Sequence, residues 1–136
     1  MNEKQIFVEY VSPFDVETTV EKLTTASIQK EWMKYEVHNL QQTLAKTGKE
    51  MRPVQVIEIC KPDYSGYMLE KDNERIASII MMPCRISVYE KEDGKTYVSL
   101  LNMAAMVTGL SESADEVIRK ASKETFGIVE SVIGLN

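Results

Sequence analysis

One histidine, one tryptophan and two cysteines in 136 residues leave little material for the commonest kinds of active site. A lone His38 excludes a two-histidine zinc helix and any histidine-rich metal cluster. Cys60 and Cys84 are too few for a disulfide framework, and their spacing is no Cys-x-x-Cys pair. The six glycines are scattered, so no glycine-rich phosphate loop is present. Long hydrophobic runs are missing, and none approaches the roughly 20 residues needed to span a bilayer. Basic residues are outnumbered 16 to 21, giving a net charge of −5, which makes a nucleic-acid backbone an unfavourable partner. Lys30 and Lys34, and Lys46, Lys49 and Arg52, are too sparse to overturn that. The opening Met-Asn-Glu-Lys-Gln runs straight into Ile6-Phe7-Val8, without the longer apolar core and small-residue end of a secretory signal. These absences point to a cytoplasmic protein, with no nucleic-acid or membrane partner, whose cysteines are free thiols.

What is present is the raw material of one ordinary domain, spanning residues 1–136. Apolar residues make up 43% and charged residues 27%, as in an average globular protein. The clearest local signal lies between Met81 and Met103. Cys84, Ile86 and Val88 alternate with Arg85, Ser87 and Tyr89, which is the period of a strand. Glu92-Asp93-Gly94 supplies a turn, Gly94 being free to take a positive φ, and Lys95 to Asn102 resumes as a second strand. That is a β-hairpin.

Ahead of the hairpin, Ile6 to Val11 predicts a strand broken by Ser12-Pro13-Phe14. Asp15 is a good N-cap for a helix through about Gln29, with Val16, Val20 and Leu23 on one face. Trp32 to His38 alternates again, Met33, Tyr35 and Val37 against Trp32, Lys34, Glu36 and His38. Leu40 to Lys46 predicts a short helix ending at Thr47-Gly48, and the β-branched run Val54 to Cys60 a strand. Pro62 opens a helix that continues from Tyr64 to Lys71, while Glu74 to Met82 is compatible with helix or strand. Asn102 to Gly109 is expected to be a loop or short turn. Ser113-Ala114-Asp115-Glu116 matches a capping box for a final helix to about Ile133. The most economical packing is a two-layer α+β fold: about five mostly antiparallel strands, helices on one face and a long C-terminal helix. The other sheet face is then solvated or covered by a second copy of the chain.

Three short stretches, in this order, resemble the family catalogued as domain of unknown function 302. They are Ile57-Glu58-Ile59-Cys60-Lys61-Pro62, Met82-Pro83-Cys84-Arg85-Ile86-Ser87-Val88-Tyr89-Glu90 and Asp93-Gly94-Lys95. His38 also sits where that family often has a histidine. The resemblance runs from about Ile6 to Asn102 and continues as a closing helix. It implies a small two-layer domain and a homodimer, and no particular reaction. Many members of the family carry a signal peptide; this chain departs from them, which argues against a periplasmic role.

Few residues invite a chemical role. Cys60 and Cys84 lie beside prolines at strand ends, and with His38 they could form a redox dithiol or a soft-metal site. Parity opposes this: Cys84 is in phase with Ile86 and Val88, whereas Cys60 is in phase with Glu58, so regular strands point the two thiols to opposite sides. A buried Cys84 acting as a small core residue is the simpler reading. His38 has no serine or cysteine partner in sequence, so no hydrolase triad is supported. Met81, Met82, Met103 and Met106, which flank the hairpin, are better explained as core filling than as an apolar ligand pocket or a Cu(I) site. The sequence therefore favours a non-catalytic, homodimeric module that binds a small apolar ligand or a partner on the less covered face, with Trp32 expected on that face. The alternative is a thiol-redox or soft-metal protein using Cys60, Cys84 and His38.

Overall fold

Each alternating run in the sequence becomes a strand of one five-stranded sheet in the computed structural model, which describes residues 5–106 and 109–134. The strands are β1 (Phe7–Ser12), β2 (Met33–Asn39), β3 (Val54–Cys60), β4 (Cys84–Glu90) and β5 (Thr96–Leu101). Their spatial order is β1-β5-β4-β3-β2, and every neighbouring pair is antiparallel. The hairpin β4–β5 pairs Ile86 with Leu100 and Val88 with Val98, and the turn between the strands has Gly94 at φ 78°. The helices are α1 (Val16–Gln29), α2 (Leu40–Ala45), α3 (Pro62–Leu69), α4 (Ser78–Met81) and α5 (Glu112–Ile133). The fold is α+β.

The connection of β1 to β2 explains much of the architecture. Those strands are the two edges of the sheet, so α1 must cross from one edge to the other. It carries Val16, Val20, Leu23 and Ala26 inward along its apolar stripe. Asp15 caps it, its carboxylate accepting from the Thr18 N–H at 2.8 Å. The threonines, poor helix formers in principle, are partly absorbed by hydrogen bonding: Thr19 is buried and donates to the Asp15 carbonyl at 2.7 Å, with Ser12 Oγ at 2.8 Å. α5 lies beside α1 and buries Ala114, Ile118, Ala121, Thr125, Ile128 and Val129. Between helices and sheet sit Ile57, Ile59, Ile86, Val88 and Val98, all essentially without solvent contact. At about 1.5–3 kcal/mol for each buried aliphatic side chain, this layer is the main source of stability.

Several local expectations change. Glu74 to Met82 is helical: a 3-10 helix, Asp72–Ala77, runs into α4, and Ile76 and Ile79 stay exposed while Ala77 and Met81 pack inward. The N-cap of α5 is Ser111 and not Ser113; the Ser111 hydroxyl accepts from the Ala114 N–H and donates to the buried Glu74 carboxylate. Pairing with Glu74 ties the start of the helix to the core, which the capping-box spacing alone could not reveal. Met103–Met106 forms a 3-10 helix within the expected loop, of which residues 107–108 lie outside the described residues, as do residues 1–4 at the amino terminus. Trp32 is not on an open face: it is 3% exposed, just before β2, and donates Nε1–H to Glu124 at 3.1 Å. Among the described residues no helix is long and apolar enough to cross a membrane.

Candidate functional site

The long helices α1 and α5 lie on the side of Ile57, Ile59, Ile86 and Val88, and the reverse side of the sheet has a different lining. It carries Phe7, Glu9 and Val11 from β1, Tyr97, Ser99 and Leu101 from β5, and Arg85, Ser87 and Tyr89 from β4. Val56 and Glu58 of β3 share that side, being out of phase with the buried Ile57 and Ile59. Phe7 is 76% exposed and Val11 53%. Next to them the polar groups pair among themselves. Tyr89 donates to Glu9, which also accepts from Lys91 at 2.8 Å, and Tyr97 donates to Asp93. The Tyr89 and Tyr97 rings stack at 6.2 Å. Hydrogen bonds from Lys91 and Tyr89 hold the Glu9 carboxyl below its ordinary pKa.

At the far edge, β2 departs from regular pairing. Met33 faces Cys60 and Lys34 faces Ile59, but Glu36 faces Glu58, so Tyr35 is the extra residue of a β-bulge. The bulge changes which residues share a side. Met33 lies on the side of Cys60 and Glu58, together with Glu36 and His38, while Val37 pairs with the core residue Ile57. The simple alternation of Met33, Tyr35 and Val37 does not survive. His38 Nε2 comes within 3.1 Å of Glu58 Oε1, and Arg85 Nε lies 3.4 Å from Glu58 Oε2. Glu36, His38 and Glu58 place one potential ligand atom each within 4.8 Å of one another.

Of the three sequence candidates His38 stands apart, while Cys60 and Cys84 neighbour one another on adjacent strands. Cys84 is cross-strand from Ile59, so Cys60 and Cys84 project from opposite sides of the sheet, as their parity indicates. Both are free, buried thiols. Cys84 packs in the core, with its thiol toward the Met81 carbonyl at 3.5 Å and Met103 Sδ at 3.8 Å. Burial, and secondarily the nearby Cys60, pushes its pKa up to about 12. Cys60 donates to Ser65 Oγ at 3.3 Å, and a hydrogen bond with Cys60 raises the pKa of the Tyr35 phenol. His38 is opposite Val56, about 13 Å along β3 from Cys60 at the rise of a strand. Its polar neighbours are carboxylates.

Two further features escaped the sequence. Glu124 on α5 gathers Trp32 Nε1, Lys61 Nζ at 2.8 Å and the Tyr64 hydroxyl. Burial alone would raise its pKa, but these three donors outweigh it and hold the carboxyl below its ordinary value. The hydrogen bond to that carboxylate, followed by burial, pushes Tyr64 up to about 12. Its partners are 60 to 92 residues away in the chain, so no local pattern announces it. The second feature is a cleft of about 1010 Å³ between α1 and β2, lined by Val20, Ala26, Lys34, Val37 and Val132 among others.

The order of elements and the open sheet match known relatives. The family model described as "Domain of unknown function DUF302" fits residues 8–125. The chain belongs to that family. A crystal structure of an uncharacterised conserved DUF302 protein from Bacillus stearothermophilus is similar over 94% of this chain and 98% of that one, with a TM-score of 0.80 and 17% identity. At that identity the likeness concerns the fold alone. No curated protein matches the chain.

Proposed function

We propose that this DUF302 chain is a non-catalytic binding module that works as a homodimer and binds through its uncovered sheet face. The observation that carries this is Phe7, three-quarters exposed on the β1 edge strand and paired with Leu101, together with exposed Val11 further along the same side, which is paired with Tyr97 of the Tyr89–Tyr97 stack. Exposed apolar side chains of that kind are a standing cost in water that a partner removes. A second copy of the chain, or an apolar ligand held between copies, is the occupant we assign. The displaced pKa values at Glu9, Asp93 and Glu124 each have a neighbouring lysine or tyrosine as sufficient cause, so none of them demands a catalytic role. We place the protein in the cytoplasm, a reducing setting that suits its two free thiols.

The alternative, a joint thiol or soft-metal site of Cys60, Cys84 and His38, draws less from the geometry, because two thiols on opposite sides of a sheet do not converge. Sedimentation velocity over a range of concentrations tests the pairing. Wild type is expected at twice the mass of one chain, and Phe7→Glu at the mass of one. Wild type sedimenting as a single chain at every concentration would remove the reading.

A further inference from the structure

The bulge at Tyr35 has a specific consequence for charge. Continued regular pairing from Met33–Cys60 and Lys34–Ile59 would set Glu36 opposite Ile57, pointing Glu36 and His38 toward the helices. The inserted residue turns both to the other side and sets Glu36 directly opposite Glu58. Two carboxylates directly cross-strand repel one another. The fold therefore builds an unfavourable pair and adds an imidazole 3.1 Å from one of its members. Arg85 engages Glu58 Oε2, which leaves Oε1 turned toward His38.

We propose that Glu36, His38 and Glu58 form a binding site for a divalent first-row cation, with zinc as its representative. One imidazole nitrogen and two carboxylate oxygens are an appropriate donor set for such an ion. Donors bonded at about 2.1 Å stand roughly 3–3.5 Å apart around the metal. The present separations, all within 4.8 Å, need side-chain adjustments of only about an ångström. Two of the three ligands are cross-strand partners and the third is two residues along the same strand, so the sheet backbone already sets the cluster. The ion offsets the Glu36–Glu58 repulsion, and three protein ligands leave at least one position for water or a small donor ligand. This site does not depend on the pairing reading; the two are measured by different quantities.

Isothermal titration of the full-length protein with zinc chloride, in a non-chelating buffer, is the test. One ion per chain is expected. His38→Ala and Glu58→Gln should each weaken binding at least tenfold, and Cys60→Ser should leave it unchanged. Absence of stoichiometric binding to wild type, unaltered affinity in both site variants, or loss of binding in Cys60→Ser would each overturn the proposal. The zinc K-edge absorption spectrum of the wild-type complex gives a readout that needs no variant: nitrogen and oxygen ligation with imidazole scattering supports the site, and sulfur at about 2.3 Å refutes it.

Discussion

The two faces of the sheet are made from the same strands and have opposite character. On the helical side Ile57, Ile59, Ile86, Val88 and Val98 are sealed, and their polar neighbours are absorbed into caps and backbone hydrogen bonds. On the reverse side tyrosines, glutamates, Arg85 and His38 lie among exposed apolar groups, and their hydrogen bonds run across the strands. One residue step along a strand moves a side chain from one regime to the other. The contrast suggests a division that the proposed function uses: the helical side holds the buried core, and the reverse side is the face proposed to bind.

The largest effect that would sharpen this contrast is in the core. Ile86→Ala, at a side chain with 1% exposure, is expected to cost about 2–5 kcal/mol in urea unfolding. Val56→Ala, on the reverse side and only partly buried, is expected to cost less than half as much. Equal losses would mean that the reverse side is as tightly packed as the core, and would break the division.

Next in size is the Glu124 cluster, the principal polar element on the helical side. Glu124→Ala strands Trp32, Lys61 and Tyr64 and is expected to cost about 1–3 kcal/mol. The pH dependence has a definite sign. The folded-state pKa of Glu124 lies below its ordinary 4.5, so its contribution is fully present above 4.5 and is lost as the pH falls through the lower folded value. Melting temperatures between pH 3 and pH 7 should therefore fall less steeply with acid in Glu124→Gln than in wild type. Parallel slopes would remove Glu124 from the acid response.

A smaller effect on stability, with a clear change of state, belongs to the reverse side. Phe7→Glu should change the unfolding free energy of the single chain by no more than about 0.5 kcal/mol, the range of ordinary surface substitutions. Its expected consequence is the loss of pairing in sedimentation.

The contrast between the faces was largely legible in the sequence wherever the period-2 pattern ran unbroken. Cys84, Ile86 and Val88 against Arg85, Ser87 and Tyr89 gave the hairpin and both of its sides, and Val54 to Cys60 appeared at its observed bounds. What failed had no local signature. The bulge at Tyr35 inserts one residue into a run that still alternates by eye, so Met33 exchanged sides and the meeting of Glu36 with Glu58 was invisible. Trp32, in a polar-looking run, is buried because an acceptor 92 residues away satisfies its indole N–H. Ser111 displaced Ser113 as the cap of α5 because Glu74, 37 residues upstream, reaches it. The neighbours of His38 come from the pairing register, which no local pattern in the sequence reveals.

The thiols give the smallest and most local comparison, since Cys60 and Cys84 occupy adjacent strands but opposite sides. Cys84 faces the helices between Met81 and Met103, with its pKa pushed up to about 12. Burial thus keeps it protonated, whereas the thiolate is the species that alkylates. Cys60 is at the end of β3, hydrogen-bonded to Ser65 and to the exposed Tyr35. In native protein treated with iodoacetamide at pH 8, mass spectrometry of the digested chain should find Cys60 modified before Cys84, and Cys84 modified only at the rate of global unfolding. Destabilising the core with Ile86→Ala should accelerate Cys84 in proportion to the unfolded population, because both residues lie on the sealed side. If Cys84 reacted as fast as Cys60 in the wild type, the helical side would open locally, and the division between a sealed face and an open one would need to be redrawn around that opening.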